Sequence, residues 1–214
     1  MLFAGALALT GCTATDAPEP GALLLDPSAA EWQAQAPATF TVRLTTSQGP
    51  FVIEVRREWA PHGADRFYNL VLHGFYDDQR VTRVVPGFIA QWGLNGHPAV
   101  TAAWKGVTIP DDEVRTSNTR GAIAFAMTGP DTRSTQVYIS LVDNSRLDEG
   151  GFAPFGRVIE GLDVVDRLYS GYGEEAGGGM RRGQQGPLEE GGNAYIDLSY
   201  PLLDRILTAE INPL

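Results

Sequence analysis

The chain has a single cysteine, Cys12, and three histidines, His62, His73 and His97, among 214 residues. One cysteine closes no internal disulfide and builds no cysteine-based zinc site. The histidines show no spacing that converges on a metal, so surface or helix-capping roles suit them, and no metal is expected. Long apolar runs are also missing, since none reaches the roughly 18 residues that span a bilayer. Positive charge is scarce: 16 Lys and Arg stand against 26 Asp and Glu, for a formal charge of −10. A protein that tracks phosphates carries the opposite balance, so nucleic acid is not an expected partner. Asp111-Asp112-Glu113 lacks the alternating oxygens and turn glycine of a calcium loop and reads as a solvated turn.

What is present suits a soluble globular protein of one domain with appendages: 43% hydrophobic residues and 20% charged. With 25 glycines and 14 prolines, turns should be many and the layout β-rich. Met1–Leu9 is a short apolar run placed like a signal h-region, although no Lys or Arg precedes it. Leu9-Thr10-Gly11-Cys12 resembles the lipobox of bacterial lipoproteins, which implies cleavage before Cys12 and lipidation of its thiol. The other reading is a buried N-terminal strand with a core cysteine. Residues 1–11 are thus expected as a signal peptide and 12–37 as a tether, with a small apolar island at Leu23-Leu24-Leu25 and Trp32 able to dock.

From residue 38 the pattern alternates. Phe40–Thr46 and Phe51–Val55, separated by Ser47-Gln48-Gly49-Pro50, predict a β-hairpin. Pro61 opens a helical pattern through Ala64, Phe67, Leu70 and Val71, closed by Gly74. A second helix is expected over Gly161–Ser170, with Leu162, Val165 and Leu168 inward. Between them lie short strand-like runs at Ile123–Met127, Gln136–Leu141 and Phe155–Ile159, and Leu203–Ile211 regains strand character. Many short strands with two helices suggest a closed barrel or a sandwich. Gly171–Gly192 lacks the strand–loop–Lys–helix context of a phosphate loop and reads as a solvated loop.

Two segments carry the chemistry. One is Thr82-Arg83-Val84-Val85-Pro86-Gly87-Phe88-Ile89-Ala90-Gln91; the other runs from Phe125-Ala126-Met127-Thr128-Gly129-Pro130 to Gln136-Val137-Tyr138-Ile139. Together they resemble the cyclophilins, barrel-forming peptidyl-prolyl cis/trans isomerases. Ala64-Asp65-Arg66-Phe67, Gly74-Phe75-Tyr76, Leu147-Asp148 and Phe155-Gly156-Arg157-Val158-Ile159-Glu160-Gly161 extend the likeness over about 38–171 and the final strand. The resemblance implies an all-β fold: a closed eight-stranded antiparallel barrel capped by two α-helices. It implies no cofactor, and proline-containing unfolded or extended polypeptides as partners.

It also implies roles. Arg83 acts on the prolyl amide, and Gln91 orients Arg83 and the substrate carbonyl. Phe88, Ile89, Tyr138, Leu147 and Phe152 form the proline pocket; Ala126, Met127 and Gln136 line the adjoining groove. The chain departs from the family where Met127 replaces a frequent Asn, Phe152 a His and Arg146 a Trp, and where Trp92 and Leu94 interrupt a Gly-Gly-Asp. Losing that Trp should weaken cyclosporin A binding more than catalysis, while Phe152 in place of His keeps an apolar wall but removes a polar contact.

The physics of the reaction supports such a residue set. Amide resonance opposes rotation with a barrier of about 18–20 kcal/mol, and X-Pro isomers exchange in tens to hundreds of seconds. No nucleophile, metal or proton shuttle is needed. A catalyst must hold the ring in an apolar pocket and stabilise the twisted state, in which the nitrogen accepts a hydrogen bond. A guanidinium, always charged and planar with several N–H groups, is a fitting donor. A hydrolase lacks any nucleophile–histidine pairing here. The rival is a non-catalytic peptide-binding scaffold or chaperone, which needs the apolar pocket but not the arginine. The expectation is therefore a monomeric prolyl isomerase acting on exported proteins, extracytoplasmic and lipid-anchored at the cell envelope.

Overall fold

The computed structural model describes residues 19–176 and 185–212. The expected signal 1–11, the Cys12 lipidation site, the first part of the tether, and Gly177-Gly178-Gly179 with Arg181-Arg182 lie outside them.

The elements are β1 (Thr39–Thr46), β2 (Gly49–Arg56), α1 (Pro61–Leu72), β3 (Gln79–Arg80), β4 (Arg83–Val84), β5 (Ile89–Trp92) and α2 (Pro98–Trp104). Then follow β6 (Ala122–Phe125), β7 (Val137–Ser140), β8 (Pro154–Glu160), α3 (Leu162–Asp166), α4 (Gly186–Ser199) and β9 (Arg205–Asn212). All strand pairs are antiparallel, in the order β3-β9-β1-β2-β8-β6-β7-β5-β4.

This corrects the expected closed eight-stranded barrel. The curled sheet has nine strands, and among the described residues no ladder joins its outer strands β3 and β4. Those two strands are two residues long, too short to register as alternation. Among the described residues four α-helices stand where two were expected. The expected helix over 161–170 is confined to Leu162–Asp166. The expected solvated loop 171–192 runs into α4, whose pattern is hidden by Gly186, Gly191 and Gly192, with a kink at Gly192.

The hairpin forms as its alternation requires: Phe40, Val42 and Leu44 point inward from β1 and Phe51, Ile53 and Val55 from β2, all in the main core. α1 lays Phe67, Leu70 and Val71 on that core, Phe67 stacking 4.9 Å from Phe155. Its start has no capping side chain at Ala60, and Pro61 has no N–H to satisfy. The Asp112 carboxylate instead accepts from His62 N–H at 3.0 Å and Gly63 N–H at 2.9 Å. Asp112 in turn is paired with buried Arg133 at 2.9 Å. The expected solvated turn is thus wrong at Asp112, which is buried because it caps a helix distant in sequence.

The segment before β1 packs on the domain. Trp32 and Ala36 belong to the main core, Trp32 edge-on to Trp104 at 4.7 Å. Trp104 Nε1 donates to the Leu24 carbonyl at 2.9 Å and Ala36 N–H to Asp65 at 2.9 Å. His73 caps α1 with its ring against Trp32, and His97 stands at the start of α2.

Candidate active site

Strand parity divides two functions across one sheet. Val84↔Ala90, Ala90↔Ile139 and Ile139↔Ile123 form a row across β4, β5, β7 and β6 that faces the main core. One residue along, Arg83↔Gln91, Gln91↔Tyr138 and Tyr138↔Ala124 form the neighbouring row on the opposite face. Successive side chains on a strand point to opposite faces, so four short apolar strands still present a polar and aromatic row outward.

Arg83 heads that row. Its Nη1 donates to Gln91 Oε1 at 2.9 Å, Gln91 Nε2 donates to Gln136 Oε1 at 2.8 Å, and the guanidinium carbon lies 5.6 Å from the Phe88 ring centre. The connection between β4 and β5 is a tight turn: Phe88 N–H returns to the Val85 carbonyl at 3.0 Å, with Pro86 next and Gly87 at φ +71°. Proline at the second and a left-handed glycine at the third turn position are what this geometry demands. The Pro-Gly-Phe run therefore folds Phe88 back beside Arg83. At the far end of β5, a Cβ on Gly93 would stand 2.4 Å from Gln136 Cα, so glycine there lets β5 and Gln136 close up.

Next to the row lies a compact apolar cluster separate from the main core. Ile89, Ala124 and Tyr138 are its buried members, with Phe88, Ala126, Leu147 and Phe152 half-buried around them. Tyr138 meets Phe152 edge-on at 6.0 Å. Its hydroxyl donates to Asn118 Oδ1 at 2.7 Å, while Asn118 Nδ2 donates to Asp148 Oδ1 and to the Phe152 carbonyl, each at 2.7 Å. Asn144 Nδ2 holds the Phe88 carbonyl at 2.8 Å. Buried amides thus fix both aromatic walls. Burial, with Asp148 nearby, pushes the Tyr138 phenol far up. Burial also acts to raise Asp148, but the hydrogen bonds from Ser117 and Asn118 outweigh it and hold that carboxyl below its usual range.

All ten site residues expected on the folded domain line one cleft of about 790 Å³: Arg83, Phe88, Ile89, Gln91, Ala126, Met127, Gln136, Tyr138, Leu147 and Phe152. The eleventh expected residue, Cys12, lies outside the described residues.

Residues not anticipated join them. Glu174 pairs with Arg83 Nη2. Gln185 and Gln136 exchange amide hydrogen bonds at 3.1 and 3.2 Å. Arg146 lies over the Phe88 face at 5.1 Å. Glu174 and Gln185 stand in the glycine-rich stretch, where nothing local marks a residue that reaches a cleft. Asn118 could have been suspected only as an uncharged polar residue just before the apolar run at Ala122.

The family model described as cyclophilin type peptidyl-prolyl cis-trans isomerase/CLD matches residues 41–185. A peptidyl-prolyl cis-trans isomerase of Acinetobacter baylyi is 35% identical over 144 residues, covering 63% of this chain and 74% of that protein. Peptidyl-prolyl cis-trans isomerase A of Dickeya dadantii is 33% identical over 132 residues, covering 59% and 70%. A cyclophilin-type isomerase of Cryptosporidium parvum superposes with a TM-score of 0.60 at 19% identity, over 82% of this chain and 99% of that one, a likeness of fold. With two thirds of its length matched by the family model, the chain belongs to the cyclophilin-type peptidyl-prolyl cis-trans isomerases and is an isomerase of that kind.

Proposed function

We propose that the chain isomerises X-Pro bonds by seating the proline ring against Phe88, Ile89, Tyr138, Leu147 and Phe152 while Arg83 donates to the prolyl nitrogen as resonance is lost. The observation that carries this is the shared strand row: Arg83, oriented through Gln91 and Gln136, stands beside an apolar cluster that is separate from the main core and lines the cleft. A cyclophilin-type isomerase of Cryptosporidium parvum solved in the presence of the dipeptide Ala-Pro supports a proline-containing ligand for this fold.

The steps need only binding and charge. The apolar walls take up the ring and exclude water from it. The planar amide accepts little at its nitrogen; the twisted amide has a lone pair there, so a fixed donor binds the twisted state more strongly than the ground state. Each 1.36 kcal/mol of that difference is about tenfold in rate. Gln91 keeps the guanidinium in one plane, so little reorganisation is required as the bond turns.

The setting is part of the same reading. The Cys12 lipobox supports a lipid-anchored, extracytoplasmic enzyme that acts as a monomer on exported polypeptides, with Ala126, Met127 and Gln136 lining the groove for the chain beyond proline. Exchange of an Ala-Pro peptide by NMR tests the chemistry: folded Arg83→Ala should lose at least about 100-fold in kcat/KM. An Arg83→Ala protein as fast as the wild type would overturn it. For the setting, Cys12→Ala should move the protein from the membrane to the soluble fraction, and an unchanged distribution would remove the anchor.

A further inference from the structure

The glycine-rich stretch expected to be solvated reaches the string of side chains that holds Arg83, and it does so at both ends. At one end Glu174 is ion-paired with Arg83 Nη2. At the other Gln185 is bonded to Gln136, which holds Gln91, which holds Arg83. Glu189, one turn further on, pairs with Lys105 at 3.1 Å across the same cleft.

Glu174 is carried there by packing. Gly173 N–H closes on Ser170 at 3.0 Å and Glu175 N–H on Tyr172 at 2.9 Å, so the chain turns tightly about it. Tyr172 is held edge-on between Tyr169 at 5.1 Å and Tyr200 at 5.2 Å. Ala176, two residues on, is fully buried in a second apolar cluster with Leu94, Leu188, Ile196 and Leu203. A carboxylate so placed is an ordered part of the cleft.

Its effect on the donor follows from the guanidinium itself. Nη1 is bonded to Gln91, Nη2 to Glu174, and Nε is buried without a partner. Orientation is already supplied by Gln91, so Glu174 is not needed to aim the group. What it adds is a negative charge that occupies one Nη2 donor and offsets the positive field that a twisted amide would use.

We propose that Glu174 is an internal competitor for Arg83: the carboxylate holds the resting enzyme in a low-activity form, and a substrate must displace it to reach the donor. This rests on the reading of Arg83 given above. The two are separated by measuring kcat/KM for a neutral Ala-Pro peptide with wild type, Glu174→Gln, Glu174→Ala, Arg83→Ala and the Arg83→Ala/Glu174→Gln double variant, each checked for its melting temperature. Both Glu174 variants should gain about three- to tenfold, and the gain should vanish when Arg83 is absent. Glu174→Asp, which keeps a carboxylate on a side chain one methylene shorter, should gain less than Glu174→Gln, and nothing when Arg83 is absent.

If Arg83→Ala is inactive while Glu174→Gln is no faster than wild type, the competitor idea falls and the function of Arg83 stands. If Arg83→Ala keeps the wild-type rate, the reading of Arg83 itself fails. If Glu174→Gln and Glu174→Ala do not fold, Glu174→Asp decides: a folded Glu174→Asp protein no faster than wild type overturns the competition.

Discussion

The strand row and the 169–200 stretch reach the same arginine by opposite means. The row Arg83–Gln91–Tyr138–Ala124 is positioned by backbone ladders over a main core that contains Phe67, Trp92, Phe125 and Phe155. Glu174 and Gln185 are positioned by a five-residue apolar cluster, three tyrosines packed edge-on and a few polar bonds. The first arrangement can move only if the sheet opens. The second rests on a smaller core and on side-chain bonds, among them Arg80–Asp197 at 2.6 Å, Lys105–Glu189 at 3.1 Å and Asn193 to Asp78 at 2.8 Å. The comparison teaches that the proposed donor and the carboxylate proposed to compete with it are held by separate sets of contacts, one a sheet over the main core and the other a small satellite cluster.

Substitutions in the two cores sharpen this contrast most. Phe155→Ala, at the centre of the main core, should cost about 3–5 kcal/mol of global stability in denaturant unfolding. Leu188→Ala in the smaller cluster should cost about 2 kcal/mol, and hydrogen exchange should quicken in 186–199 while the strand amides keep their protection. Equal loosening of both regions by Leu188→Ala would break the comparison.

Tyr138→Phe acts within the row. It removes the donor to Asn118 Oδ1 and leaves that buried acceptor unpaired, for a loss of about 1–2 kcal/mol in stability. Exchange should fall less than with Arg83→Ala, because the ring that walls the pocket remains.

Acid compares the regions through their carboxylates. The Arg80 hydrogen bonds hold Asp197 of α4 below the ordinary carboxylate value of 3.8 against the opposing effect of burial, and the bonds from Ser117 and Asn118 do the same for Asp148 beside the pocket. A depressed folded value means stability that is fully present above the unfolded value and lost as pH falls through the folded one. The melting temperature should therefore drop below about pH 3.8, and Asp148→Asn and Asp197→Asn should each flatten that drop. An unchanged acid profile in both variants would contradict the assigned partners. The smallest effect belongs to Arg146→Ala, which removes an exposed cation over Phe88 and should cost about 0.5–1 kcal/mol with little change in rate.

How far each region could be read from the chain follows the same division. Pro86-Gly87 declares a turn because glycine adopts φ +71° there, and the alternation in 40–46 and 51–55 declares β1 and β2 because one face is buried. The expected cleft residues were legible through the resemblance to the cyclophilins, and Arg83, Ile89, Gln91 and Tyr138 among them lie on strands whose register brings them together. Glu174 and Gln185 were not, because their place depends on contacts distant in sequence and on a helix whose glycines mask its period. Asp112 shows the same limit: three acidic residues after a proline look solvated until Arg133 and the start of α1 are seen around one of them. The edge strands β3 and β4 are two residues each and exist only through their partners β9 and β5.

The central claim is that directed donors of a guanidinium held by Gln91, rather than positive charge alone, turn the prolyl bond. Arg83→Lys tests it most directly, since lysine keeps the charge but lacks the planar fork that Gln91 grips. Two-dimensional exchange NMR on an Ala-Pro peptide, with the fold checked by the dispersion of the same spectra, should show kcat/KM lowered by at least about tenfold. A folded Arg83→Lys enzyme at the wild-type rate would contradict the account.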